Sequence, residues 1–175
     1  PDGVAAHSLA IPTDLAISPD GATLYVAAMG SSRVGVLPTA ALADDSFDPE
    51  ALSASYLEVP GGGPAGLALD AARGRLYVLT RFDNAVAVLD LATGAEVAHV
   101  PMFNPEPAVV VAGRRFLYDA RASSANGEAS CASCHVFGDL DHLAWDLGNP
   151  DGDVSQSPIE VLLGAAAGGF SPPIN

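Results

Sequence analysis

Cys131-Ala132-Ser133-Cys134-His135 places two thiols and an imidazole within five residues, at the C-x-x-C-H spacing. Two thiols flanking a tight two-residue turn can add across the two vinyl groups of a haem as thioethers. The imidazole directly after the second Cys is then held under the iron as its axial ligand. Cys131 and Cys134 are the only cysteines of the chain. A disulfide, a redox dithiol and half a zinc site compete for the same pair. Zinc needs two further ligands, and no second Cys pair supplies them. A thioredoxin-like dithiol opens a helix within a βαβ unit, and the sequence before Cys131 does not read that way. The motif therefore predicts covalent haem c, with His135 on the iron.

Those residues must be held by something, and the first hundred residues read as a repeat. Pro12-Thr13-Asp14-Leu15-Ala16-Ile17 aligns without gaps on Pro64-Ala65-Gly66-Leu67-Ala68-Leu69, 52 positions on (64 − 12). The same offset matches Leu24-Tyr25-Val26 to Leu76-Tyr77-Val78, and Val34-Gly35-Val36-Leu37 to Val86-Ala87-Val88-Leu89. A third copy starts at Pro107-Ala108-Val109-Val110-Val111, 43 positions further (107 − 64). Self-similarity at such a period marks propeller blades. Within each unit, short apolar runs are separated by turn residues. Leu15–Ser18, Thr23–Ala27 and Val34–Leu37 are predicted strands of the first unit. Gly66–Asp70, Leu76–Thr80, Ala85–Asp90 and Glu96–Val100 are those of the second. The extra length of the first unit falls at Thr39–Ser55, where an Ala-rich stretch predicts a short helix.

Through Ser18-Pro19-Asp20-Gly21 with Leu24-Tyr25-Val26, and through Gly74-Arg75-Leu76-Tyr77-Val78, these units resemble blades of the YVTN-like β-propellers. The resemblance covers roughly residues 10–112 and implies a blade of a few strands per repeat. A propeller closes with roughly four to eight blades. Two full blades and the start of a third do not close one, so the expectation is a piece of a larger polypeptide, or a propeller completed by another chain. A small self-contained β-sandwich is the alternative.

The third repeat changes character after Gly113-Arg114-Arg115-Phe116-Leu117-Tyr118-Asp119. Ala120-Arg121-Ala122-Ser123-Ser124-Ala125-Asn126-Gly127 follows, and then the haem motif. This run, residues 113–135, resembles the first haem site of the bacterial di-haem cytochrome c peroxidase and MauG family. The resemblance implies that Cys131 and Cys134 carry the thioethers and His135 is the proximal ligand. It also puts Arg121 and Asn126 in the loop before the haem. There Arg121 either neutralises a haem propionate, as a guanidinium can pair bidentately with a carboxylate, or answers local acids at the surface. Gly138-Asp139-Leu140-Asp141 and Leu143–Pro150 resemble large bacterial proteins that fuse such propellers to such haem domains.

The sixth ligand separates electron transfer from peroxide or oxygen chemistry. Candidates in the sequence are Met29, Met102, His7, His99 and His142, each with a competing surface or packing role; otherwise the ligand lies beyond Asn175 or the site is open. Asp139, Asp141, Asp146, Asp151 and Asp153, with Asn149, carry oxygens that would suit Ca2+, an ion known in the peroxidase family. Their spacing does not fit an EF-hand loop, and solvated turn acids are the preferred reading. Trp145 reads as a ring covering an apolar haem face rather than an electron conduit. Gly61-Gly62-Gly63 lacks the Lys and following helix of a phosphate loop.

Acidic residues number 21 against 7 basic, all of them Arg, for a formal charge of −14. Such a field disfavours nucleic acid and anionic membrane surfaces, and favours a basic or neutral partner. No stretch approaches the roughly 20 apolar residues of a membrane helix. No leader is visible at Pro1. Haem c is attached after export, so the expected location is the bacterial periplasm or exterior, with any leader removed or outside this sequence. The expected fold class is mainly β: partial β-propeller over 1–112, then a loop- and helix-rich haem-binding segment over 113–175. The expected function is electron transfer through one covalent haem, toward a redox partner or further haem domains. A peroxidase-type oxidoreductase and a propeller binding module with a structural haem are the rival classes.

Overall fold

The computed structural model describes residues 3–44, 46–124 and 126–140. Strands β1 (Pro12–Ile17), β2 (Thr23–Ala28), β3 (Arg33–Pro38) and β4 (Leu57–Glu58) form one antiparallel sheet in chain order. Strands β5 (Pro64–Asp70), β6 (Arg75–Thr80), β7 (Ala85–Asp90) and β8 (Glu96–Pro101) form a second of the same kind. The chain is mainly β, and two such four-stranded meanders are consistent with a partial, propeller-like fold.

The repeat in sequence is also a repeat in register. Tyr25 pairs with Val36 as Tyr77 pairs with Val88, and Leu24 with Leu37 as Leu76 with Leu89. The first strands carry equivalent bulges, at Pro12/Asp14 and at Pro64/Gly66. Strand period puts alternate side chains on opposite faces, so one face of each sheet supplies the core. Tyr25 and Val34 of the first sheet cluster with Leu76, Val78, Ala87 and Leu89 of the second. Two polar ties join the first strands of the sheets. Thr13 Oγ1 donates to the Pro64 carbonyl at 3.0 Å, and the Leu67 amide donates to Asp14 Oδ2 at 2.7 Å.

The insert contains α2 (Thr39–Ala43) and α3 (Pro49–Leu52), as its composition predicts. Asp48 caps α3, accepting the amides of Glu50 at 3.0 Å and Ala51 at 3.3 Å, with Pro49 at the first helical position where no amide is needed. The chain then adds β4, a two-residue strand the sequence does not announce. At the other end, α1 (Val4–His7) precedes β1.

The third repeat departs from expectation. Residues 107–111 do not start a third blade; Ala108–Tyr118 is a helix, α4, followed by α5 (Ala120–Ser123). Three consecutive valines favour a strand locally, but a strand needs an edge to pair with, whereas a helix bonds internally. Helical spacing also aligns Val110, Arg114 and Leu117 on one side, where all three line a cavity shared with Ala132 and Ser133. Tertiary packing overrides the β propensity of the Val run. The chain divides after Asp139, and the described residues up to there form one compact unit. Both sheets, α4 and the Cys131–His135 turn belong to that unit. No helix among the described residues is long and apolar enough to cross a membrane.

Candidate functional site

Cys131–Ser133 forms a single 3-10 turn. The Cys131 carbonyl accepts the amides of Cys134 at 3.3 Å and His135 at 2.9 Å. The turn is closed from below by Ser133, whose Oγ accepts the Ser130 amide at 3.1 Å while its own amide donates to the Ser130 carbonyl at 3.0 Å. Both thiols are free; Cys131 is exposed and Cys134 half-buried.

His135 is exposed, and its Nδ1 lies 3.1 Å from the Asp139 carbonyl oxygen. A second 3-10 turn, Val136–Gly138, makes this contact available. Gly138 sits at φ +74°, a conformation favoured by a residue without Cβ, and turns the chain back so that the Asp139 carbonyl meets the ring. A carbonyl can only accept, so this contact requires the tautomer with the proton on Nδ1. The Nε2 lone pair is then left outward, and among the described residues Nε2 makes no hydrogen bond. A metal-bound imidazole characteristically donates its other N–H to such a carbonyl, which fixes the ring and raises its basicity. The donor set fits a covalently held haem: two free thiols one turn apart, and an imidazole oriented through one nitrogen with the other available.

The segment before the turn is anchored to the sheets and to α1. Asp119 is 6% exposed and caps α5, accepting the Arg121 amide at 3.0 Å. The Arg121 guanidinium lies 3.4 Å from Asp119 Oδ1 and 3.5 Å from Glu58 Oε2. Glu58 in turn meets Arg33 Nε at 2.5 Å. Arg121 thus ends a chain of alternating charges reaching β4. Asn126 accepts a hydrogen bond from Ser8 Oγ at 2.9 Å through its carbonyl, and a Cβ on Gly127 would lie 3.2 Å from Ala5 Cα.

Of the candidate sixth ligands, His99 is committed elsewhere. Its Nδ1 meets Glu96 Oε1 at 2.5 Å and its Nε2 meets Asp83 Oδ2 at 2.9 Å. The bond to Glu96, with the charge of Asp83 behind it, raises its pKa above the ordinary imidazole value despite some desolvation. With a carboxylate oxygen against each ring nitrogen, neither lone pair is free for iron. Met102 is exposed after β8, His7 ends α1, and Met29 lines the cavity beside α4. His142, Trp145, Asp141, Asp146, Asn149, Asp151 and Asp153 lie outside the described residues. Among the described residues no cluster of three His, Cys, Asp or Glu is arranged for a metal ion.

That cavity, of about 900 Å³, is the feature sequence reasoning missed. Turns of the two sheets supply Met29, Arg81 and Phe82, α4 supplies Val110, Arg114 and Leu117, and the motif's own Ala132 and Ser133 close it. The helical spacing of Val110, Arg114 and Leu117 is the one sequence signal for it, and the β-like valines conceal that spacing.

No family model matches the sequence, and no curated protein does either. Among solved structures, Kuenenia stuttgartiensis hydrazine synthase is similar at 20% identity and a TM-score of 0.43, over 53% of this chain and 24% of that one. A nidogen/laminin complex is similar at 21% identity and a TM-score of 0.40, over 54% of this chain and 31% of that one. The chain thus spans no more than 31% of either structure's length. At these scores the likeness adds nothing to what the sheet topology already states.

Proposed function

We propose that this chain carries one covalent haem c on Cys131 and Cys134, with His135 as axial ligand, and relays electrons within a propeller-bearing cytochrome of the bacterial periplasm or exterior. In this reading the two sheets are two blades of a larger propeller. The observation that carries the proposal is the pairing of two free thiols on a closed turn with an imidazole whose Nδ1 is bound to the Asp139 carbonyl. Cys131 and Cys134 would hold the haem by each adding its S–H across a vinyl group, sulfur on one carbon and the proton on its neighbour, with no net oxidation. When bound, the iron supplies a one-electron couple. The chain's contribution is to hold His135 in one tautomer and one orientation, so that little reorganises when charge changes. The net charge of −14 selects a basic or neutral redox partner by long-range attraction.

The test is production in a host with a c-type haem attachment system, beside a cytochrome known to mature there, followed by intact mass and a pyridine haemochrome spectrum. One added haem and the α-band of two thioethers are expected. Cys131→Ser should shift that band to the single-thioether position. An unmodified mass beside a fully matured control sinks the proposal. Carbon monoxide and peroxide should leave the Soret band in place; a shift would transfer the reading to the peroxidase class.

A further inference from the structure

Acids outnumber bases 21 to 7, so an arginine without a carboxylate partner is unexpected in this chain. Arg33 pairs with Glu58, Arg73 with Asp70, Arg75 with Asp90, Arg114 with Glu106, and Arg121 with Asp119 and Glu58. Arg115 lies over the Phe82 ring, 5.8 Å from its centroid. Among the described residues, Arg81 is the one guanidinium with no carboxylate, carbonyl or ring partner. Its backbone, by contrast, is pinned: its amide donates to the Gly63 carbonyl at 2.9 Å and its carbonyl accepts from Arg114 at 2.6 Å.

Arg81 lines the cavity of about 900 Å³, within the range of roughly 300–1,000 Å³ usual for small-molecule sites. Arg114 lines it too, its side chain only 10% exposed, held by the Arg81 carbonyl, by Asn84 Oδ1 at 2.8 Å and by Glu106. Burial and the neighbouring charge of Arg81 both work against the Arg114 cation. The remaining walls include Met29, Phe82, Val110 and Leu117. Two guanidiniums against the single carboxylate of Glu106 leave one positive charge at an apolar cavity, within a protein of the opposite sign.

We propose that this cavity binds a small carboxylic acid with an apolar body, the carboxylate on Arg81 and the body against Met29, Phe82, Val110 and Leu117. Burial of the body supplies the affinity, and the guanidinium fork supplies the preference for an anion. Neither thiol nor His135 lines the cavity, whereas Ala132 and Ser133 between the thiols and Val136 after the imidazole do. A bound acid would lie against Ala132 and Ser133 of the turn that carries the thiols.

Isothermal titration of the full chain, purified as it is produced, tests this with 2-naphthoate and the neutral 2-naphthylmethanol. Saturable 1:1 binding of naphthoate, tighter than the alcohol, is expected. Arg81→Gln should weaken naphthoate about tenfold, the scale of one charge-assisted hydrogen bond, and leave the alcohol unchanged. Gly113→Leu should abolish binding of both. Gly113 lines the cavity on α4, and an added Cβ there meets nothing within 4 Å. The change also replaces a poor helix former, so far-ultraviolet circular dichroism should hold. Equal affinity for acid and alcohol, no saturable heat, or binding indifferent to either substitution would each overturn the assignment.

Discussion

The paired sheets and the Cys131–His135 turn are built on opposite terms. In the sheets, specificity comes from strand pairing: Leu76 and Leu89 sit opposite each other across β6 and β7, both fully buried, and the same pairing recurs 52 positions earlier between Leu24 and Leu37. In the turn, every bond that shapes the backbone is local, spanning three or four residues, and Cys131 and His135 are exposed. One region holds its shape by what it buries; the other presents reactive atoms and depends on Ser133, Gly138 and a borrowed carbonyl. Substitutions should therefore separate cleanly into those that unfold the chain and those that change only what it can bind.

The largest effect belongs to the core. Leu76→Ala removes a fully buried side chain from the cluster between the sheets and should cost about 2–5 kcal/mol in urea denaturation. Val136→Ala, at a position 55% exposed beside His135, should change stability by no more than about 0.5 kcal/mol. Equal losses at the two sites would erase the distinction.

Legibility followed the same divide. The strands could be read because the period-two burial of β6 and β7, the turn at Pro19-Asp20-Gly21 and the αL residue Asn84 are local signals that agree with the tertiary outcome. Strand β8 was expected over Glu96–Val100 and runs Glu96–Pro101. The short strand β4 could not be read, because Leu57-Glu58 has too little sequence to show a period and pairs only because Arg33 and Val34 offer an edge. Helix α4 was misread because Val109-Val110-Val111 matches the repeat in composition, while its packing partners, Ala132 and Ser133, lie some twenty residues further along the chain. The chemistry of Cys131, Cys134 and His135 was legible from spacing. The role of Asp139 was not, because a backbone carbonyl leaves no mark on the residue type that carries it.

An intermediate effect lies where the sheets meet the cavity. Gly63 has φ +59°, and a Cβ there would lie 2.6 and 2.8 Å from two atoms of the Phe82 ring. Phe82 is 4% exposed and lines the cavity, so the room into which its ring can retreat is the cavity itself. Gly63→Ala combines left-handed strain with that overlap and should cost about 1–3 kcal/mol. Because Phe82 must shift, the same variant should weaken naphthoate binding. A loss of stability with unchanged binding would show that the sheet and the cavity wall move independently.

The smallest effect is electrostatic, at the outer edge of the second sheet. Glu96 on β8 and Asp83 on the turn after β6 hold opposite nitrogens of His99, and the Glu96 bond is the main cause of its raised pKa. A group whose pKa is raised by folding stabilises the folded state fully below the unfolded value of about 6.5 and loses that contribution as pH climbs through the folded value. The urea midpoint should accordingly fall slightly as pH rises above about 6.5, and His99→Gln should remove that slope while leaving the low-pH arm lower than in the parent. The shift should be small, because the ring is 36% exposed and water and salt screen both pairs. It should shrink further in high salt. A slope that survives His99→Gln would place the titration on another group, and would make β8 an edge held by Val86–Val100 and its neighbouring pairs alone.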